Sequence, residues 1–131
     1  MIKFENVSVT YPGGVEALKD LNLEIKDGDF IIIVGLSGAG KSTLLRTVNN
    51  LVKPSTGSVY LEGKNVTSAK KKELKKIRSQ IGMIFQTFNL VNRSTVLKNV
   101  LTGRLSNIST IRSILGLWPK DQKEMAFEAL N

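Results

Sequence analysis

One run of nine residues sets the expected architecture of the chain: Gly35-Leu36-Ser37-Gly38-Ala39-Gly40-Lys41-Ser42-Thr43. It fits the pattern G-x-x-x-x-G-K-[ST], a loop whose backbone N–H groups surround nucleotide phosphates. The apolar run at residues 29–34 precedes it and predicts a strand buried on both faces. Residues 43–51 follow it with apolar positions at helical spacing. Strand, glycine loop and helix in this order are the context that the motif requires, so the sequence predicts a nucleoside triphosphate site.

The chemistry expected of this loop follows from its backbone and its last three side chains. Glycine lets the backbone approach phosphate closely, and the helix that starts near Lys41 adds the positive end of its dipole. Lys41 is expected to reach the β- and γ-phosphates, Ser42 to ligate Mg²⁺, and Thr43 to offer its backbone N–H to the α-phosphate. The alternative is a glycine turn with an incidental lysine. The residues expected to bind nucleotide here are Gly35, Leu36, Ser37, Gly38, Ala39, Gly40, Lys41, Ser42 and Thr43.

Composition excludes several kinds of site. The 131 residues contain no cysteine and no histidine, which removes disulfides, thiolate metal sites and every form of histidine chemistry. No apolar run is long enough to span a bilayer. The net charge is +8, and residues 70–112 hold ten basic side chains against the single acidic Glu73. Such a block can indicate nucleic acid or an anionic membrane, but the apolar residues Leu74, Ile77 and Ile81 favour a solvated helix face.

Periodicity predicts an α/β chain. Strands are expected at 2–10 (with a slip around Glu5-Asn6), 17–25, 58–66 and 81–86, in addition to 29–34. Helices are expected at 70–80, from Ser94 to Leu105, and at 121–131, with a short apolar element at 111–117. The last helix has no closing cap, and no acidic residue ends a later strand where Mg²⁺ chemistry usually needs one. We therefore expect the chain to be the front part of a longer protein.

Four landmarks in the same order resemble the ATP-binding subunits of ABC transporters. Tyr11, after the first strand, resembles the aromatic residue that stacks on adenine, and the loop follows it. Residues 56–63 resemble the strand and turn that come next in this family. Gln86 resembles the glutamine that reaches Mg²⁺ and the attacking water. The resemblance thus implies Lys41 and Gln86 as catalytic residues, Ser42 and Gln86 as metal ligands, and Tyr11 with the loop as the ATP site.

The resemblance covers the whole chain and implies its fold class. We expect the P-loop NTPase core of the ABC ATPase type, with an antiparallel β portion, the start of a helical subdomain, and exposed edges and apolar patches where the sheet is truncated. Residues 1–131 would form the N-terminal part of a nucleotide-binding domain. Residues 1–86 would be the ATP-binding core, and residues 87–131 would begin the helical subdomain.

The segments after Gln86 resemble the phosphonate-import subgroup of this family. They are residues 89–93 (Asn-Leu-Val-Asn-Arg), 96–105 and 112–116 (Arg-Ser-Ile-Leu-Gly). Amino-acid importers and lipoprotein exporters share the asparagine elements but seldom the Gly-Arg-Leu at 103–105. The ATP subunit does not touch the transported solute, so the solute is implied by analogy alone.

The resemblance also implies how the parent protein acts. An ATPase subunit on the cytoplasmic face of the membrane would bind ATP and Mg²⁺, pair with a second copy and drive transmembrane permease subunits. A substrate-binding protein would take part indirectly, with no direct nucleic acid contact. The family's signature motif, catalytic glutamate and switch histidine do not occur in residues 1–131, so this chain by itself is expected to be inactive.

Other functions remain open at this point. A cytosolic ABC-type ATPase acting on nucleic acid or the ribosome would share the loop and suit the basic block. An ABC subunit for an amino acid or a lipoprotein would differ only in subgroup. A small P-loop kinase would not need Tyr11 or Gln86, and a non-catalytic, nucleotide-responsive interaction module is the last alternative.

Overall fold

The structure is a computed structural model that describes residues 1–85, 90–105 and 108–130. It forms two compact units, Met1–Ile81 and Gly82–Asn131. The first unit contains β1 (Ile2–Thr10), β2 (Glu16–Ile25), α1 (Lys41–Val48), β3 (Thr56–Leu61), β4 (Lys64–Asn65) and α2 (Lys71–Arg78). The second contains α3 (Val96–Thr102), α4 (Thr110–Ile114) and α5 (Lys120–Glu128).

An antiparallel sheet in the order β2-β1-β3-β4 is the base of the first unit. Phe4 on β1 lies opposite Leu23 on β2 and Val59 on β3. The register with β2 shifts after Phe4, and Asn6 has a φ of 48°, which confirms the slip expected around Glu5-Asn6. This irregularity lets β1 return to the same buried face at Val7.

The core of the first unit lies between this sheet and the two helices. Alternate residues of β1 and β3 face it, and α1 and α2 each contribute an apolar side chain at a position predicted by helical spacing. The buried residues of this cluster are Phe4, Val7, Leu44, Val59, Leu61, Val66 and Ile77. Arg78 at the end of α2 donates to the backbone oxygens of Asn49 and Asn50, at 2.8 and 3.0 Å, and so joins α2 to the C-terminal end of α1.

The strand predicted at 58–66 is a hairpin. Glu62 and Gly63 both have positive φ, 49° and 72°, which is the backbone of a tight two-residue hairpin turn. The turn separates β3 from β4. Near it, the ammonium group of Met1 pairs with the carboxylates of Glu62 and Asp27, and so links two turns at one end of the sheet.

Two predicted strands are wrong. Residues 29–36 and 81–85 have no strand pairing with any described part of the chain. A strand with two apolar faces is stable only when neighbouring strands and covering helices bury it. Without them Phe30 is 87% exposed and Ile84 is 99% exposed. The expected exposed apolar patches are therefore confirmed, whereas the burial expected for 29–34 is not.

The second unit is helical, as predicted from Ser94 onward. Thr95 caps α3, since its side-chain oxygen accepts from the Lys98 N–H at 3.3 Å. Leu101 of α3 and Ala126 of α5 are both buried, and α3 packs against α5. The apolar element predicted at 111–117 is partly helical, as α4, and the helix predicted at 121–131 is α5.

Candidate nucleotide site

The start of α1 is built on a glycine that no other residue can replace without strain. Gly40 caps the helix with a φ of 80° and no side-chain hydrogen bond. A Cβ on Gly40 would lie 2.2 Å from the carbonyl oxygen of Ala17 on β2. Left-handed backbone and a close approach to another strand both require glycine. Gly40 therefore fixes the N-terminus of α1 against the sheet.

This helix start leaves backbone donors free. The first helical hydrogen bond runs from the Leu44 N–H to the Gly40 oxygen at 2.8 Å. Within residues 1–85, 90–105 and 108–130, the N–H groups of Lys41, Ser42 and Thr43 have no backbone acceptor. The first turn of α1 contains no acidic residue to occupy them. Three unsatisfied donors and the positive end of the helix dipole make this position suitable for an anion.

The side chain of Lys41 folds over the loop. Its Nζ donates to the backbone oxygens of Gly35 and Leu36, both at 2.6 Å. A hydrogen bond of 3.2 Å from the Ala39 N–H to the Leu36 oxygen closes the turn formed by residues 36–39. Lys41 has no carboxylate within 4.0 Å among the described residues. Its positive charge is therefore available to a ligand at the mouth of the loop.

Tyr11 contacts the same helix start from the turn after β1. Its hydroxyl lies 3.1 Å from the Thr43 hydroxyl. Thr43 is buried, whereas Tyr11 is 38% exposed. The structure thus brings Tyr11 and the phosphate loop together, as the sequence predicts. The hydrogen bond itself was missed, because nothing in the sequence pairs a turn residue with a helix residue 32 positions later.

Of the two predicted metal ligands, Ser42 lies in the described part of the chain. Ser42 is exposed at the start of α1, and no group of three or more acidic residues that could hold a metal ion occurs among the described residues. Mg²⁺ at nucleotide sites usually takes one or two protein oxygens together with substrate phosphates and waters. Gln86, the other predicted ligand, lies outside the described residues.

The first unit thus combines an antiparallel sheet with a glycine loop that leads into a helix without a side-chain cap. A family profile described as ABC transporter matches residues 18–131, and the chain belongs to that family. Its fold is that of the ABC ATP-binding cassette. A dimeric structure of the ATP-binding cassette MJ0796 in a post-hydrolysis state, bound to ADP and Pi, matches with a TM-score of 0.84 at 37% identity. The match covers 99% of this chain and 56% of that one.

A second solved structure and the curated relatives agree with this family. The structure of cbiO1 from Clostridium perfringens, part of the ABC transporter complex cbiONQ, matches with a TM-score of 0.70 at 31% identity, over 95% of this chain and 46% of that one. The Phosphonates import ATP-binding protein PhnC of Bacillus thuringiensis subsp. konkukian is 56% identical over 99% of this chain and 51% of its own length. The Phosphonates import ATP-binding protein PhnC 3 of Halalkalibacterium halodurans is 50% identical over 99% of this chain and 50% of its own length.

Two further findings concern the length of the chain and its helices. The chain spans about half the length of the curated relatives that it matches. No helix in the described part of the chain is both long and apolar enough to cross a lipid bilayer.

Proposed function

We propose that this chain is the N-terminal part of an ATP-binding subunit that powers an ABC importer for phosphonates. The start of α1, which has no side-chain cap and over which Lys41 folds, is the observation that carries nucleotide binding. The solute is proposed from the relatives, which are described as phosphonate-import ATP-binding proteins and are 50–56% identical over nearly the whole chain.

Each residue of the site has a role in this proposal. The backbone N–H groups of Lys41, Ser42 and Thr43 bind the phosphates that enter the mouth of the loop. The ammonium group of Lys41 exchanges its two carbonyl acceptors for β- and γ-phosphate oxygens, where it offsets their negative charge. The Ser42 hydroxyl and Gln86 would hold Mg²⁺, which would supply positive charge beside the phosphate oxygens.

Tyr11 supplies the surface for the base. An aromatic ring at the end of β1 stacks on adenine, and its hydroxyl bond to Thr43 holds that ring next to the phosphate loop. Adenine and triphosphate therefore contact two elements, the β1–β2 turn and the start of α1. The bond between Tyr11 and Thr43 already holds these two elements together, which limits the ordering cost of binding.

The whole protein acts as a pair of such subunits on the cytoplasmic face of the membrane. ATP binding favours the closed pair, closure shifts the permease subunits between two states, and hydrolysis resets them. The MJ0796 structures, which are described as dimeric, support a paired arrangement for this fold. The substrate-binding protein delivers the solute to the permease and does not contact the ATP site.

Nucleotide binding is tested by titrating the chain with a fluorescent ATP analogue in the presence of Mg²⁺. We expect saturable binding that Lys41→Ala reduces by at least about a hundredfold, because the lysine makes charge-assisted bonds to two phosphates. Lys53→Ala is the matched control, since Lys53 is an exposed lysine outside the loop. Equal affinities in Lys41→Ala and wild type would disprove the role of the loop.

The solute is tested separately in cells. A host without its own phosphonate importer is given the full-length subunit, with either the wild-type sequence or Lys41→Ala, together with its permease subunits and substrate-binding protein. We expect growth on a phosphonate as the sole phosphorus source with wild type only. No growth on a phosphonate with either sequence would disprove the proposed solute and leave nucleotide binding intact.

A further inference from the structure

A second concentration of positive charge lies between β4 and α2. A cavity of about 400 Å³ there is lined by Lys64, Lys70, Lys72, Glu73, Lys76 and Ile77. We refer to it as the lysine cavity. None of its residues belongs to the phosphate loop or to the Tyr11 contact.

Two elements of fixed geometry bring these lysines together. Lys72 and Lys76 are four residues apart on α2 and therefore share one face of that helix. Ile77, on a different face, is 1% exposed, so that its side chain anchors α2 in the core. Lys64 comes from β4, which the tight turn at Glu62 and Gly63 holds against β3. The backbone positions of Lys64, Lys72 and Lys76 are thus set by two elements of the fold, and their side chains are exposed.

The charges in the lysine cavity are not balanced by the protein. Four lysines face one carboxylate, Glu73, which leaves an excess of three positive charges. No cavity residue forms an ion pair with any described part of the chain. Like charges held at helical spacing repel one another and destabilise the helix that carries them. An anion of two or more charges in the cavity would remove that repulsion.

The first turn of α2 adds backbone donors to the same place. Lys70 caps the helix with extended backbone and without a side-chain hydrogen bond. The first helical bond runs from the Leu74 N–H to the Lys70 oxygen at 2.8 Å. Lys70 and Lys72 both line the cavity, so these donors and the ammonium groups belong to one region.

We propose that the lysine cavity binds a phosphate-bearing anion, distinct from the nucleotide at the loop. Ammonium groups act as point charges toward phosphate, and several of them around one cavity favour a multiply charged anion over chloride. Two sources share this chemistry, a free diphosphate in solution and a phosphomonoester headgroup on a lipid. The proposal concerns the site, and the experiment distinguishes the two sources.

The test uses the full chain in a Lys41→Ala background, so that the phosphate loop does not contribute. Inorganic pyrophosphate is titrated by calorimetry into three proteins: the background itself, Lys72→Gln with Lys76→Gln, and Lys71→Gln with Lys75→Gln. The second pair is the matched control, since it removes the same charge from the same helix at positions that do not line the cavity. Circular dichroism of each protein verifies that the helix content of the chain is unchanged.

Pyrophosphate affinity is expected to fall about tenfold or more in the cavity pair and to change little in the control pair. Glu73→Gln, which removes the carboxylate from the cavity, should increase the affinity. The second arm measures binding to phosphatidylcholine vesicles that contain phosphatidic acid, against vesicles that contain phosphatidylserine. Selective binding to phosphatidic acid, lost only in the cavity pair, assigns the site to a headgroup.

Two results would overturn the proposal. Equal losses in the cavity and control pairs would show that pyrophosphate responds to the overall charge of α2 and not to a site. Binding in neither arm would show that the cavity has no phosphate ligand. Neither result affects the nucleotide proposal, which depends on Lys41 and is measured in the wild-type background.

Discussion

The two sides of the phosphate loop differ more than their shared role suggests. On the helix side, Gly40 is pressed against Ala17, Thr43 is bonded to Tyr11 and Leu44 is in the core. On the strand side, residues 29–36 are exposed and pair with no strand in the described part of the chain. The difference shows that local contacts and a four-stranded sheet are enough to position the helix side of the site. The strand side depends on partners that are distant in sequence.

The largest difference in the free energy of unfolding is expected between Phe4→Ala in the core and Phe30→Ala before the loop. Phe4 is 2% exposed in the core and Phe30 is 87% exposed before the loop. Phe4→Ala should lower the free energy of unfolding by about 3–5 kcal/mol, and Phe30→Ala by less than about 0.5 kcal/mol. Urea titrations followed by circular dichroism measure both. Similar losses would mean that residues 29–36 are packed in solution and that the two sides do not differ.

Two glycines of the loop give the next largest effect. Gly38 and Gly40 have nearly the same φ, 83° and 80°, but only Gly40 would place a Cβ against another strand. Gly38→Ala should cost about 1–2 kcal/mol for left-handed backbone alone. Gly40→Ala should cost at least about 1 kcal/mol more, because the contact with Ala17 must open. Thermal unfolding of the two variants decides whether that contact or backbone strain dominates.

The hydrogen bond between Tyr11 and Thr43 tests how much a single contact stabilises the helix side of the loop. Tyr11→Phe should lower the free energy of unfolding by about 0.5–1.5 kcal/mol, since Thr43 loses its partner, while the aromatic surface for the base remains. Tyr11→Leu should in addition lower the affinity for the fluorescent ATP analogue by about three- to tenfold. If Phe and Leu variants bound the analogue equally well, stacking would have no part in binding.

The smallest effect is expected from an exposed ion pair on β1. Lys3 Nζ lies 2.6 Å from Glu5, and this contact lowers the pKa of Glu5 and raises the pKa of Lys3. The pair stabilises the fold at neutral pH. That stabilisation disappears as the pH falls through the folded pKa of Glu5, and again as the pH rises through the raised pKa of Lys3. The melting temperatures of wild type and Glu5→Gln should therefore converge in acid, and a difference that grew in acid would contradict this assignment.

Much of the first unit could be predicted because its signals are local. The alternation in residues 2–10 and 17–25, the glycine motif, and the apolar spacing of residues 70–80 each depend on neighbours within a few positions. Those elements are present as β1, β2, the loop with α1, and α2. The single strand predicted at 58–66 is wrong at Glu62 and Gly63, where a turn separates β3 from β4.

What could not be predicted depends on distant parts of the chain. An apolar run such as residues 29–34 indicates a strand. The run does not show whether another part of the chain pairs with it. The Tyr11–Thr43 bond and the position of Lys64 beside α2 likewise require the folded topology. The roles of Lys41 and Ser42 stay predictions, as does that of Gln86, which lies outside the described residues.

The ammonium group of Met1 has a practical consequence for chemical labelling. Hydrogen bonds to Asp27 and Glu62 raise the pKa of this group above its ordinary value. Reagents that acylate amines select the N-terminus over lysine because the α-amine normally loses its proton at lower pH. The raised pKa of Met1 narrows this difference, so that labelling of the N-terminus is less selective over lysine. A probe that does attach will remove the charge that joins the two turns at this end of the sheet.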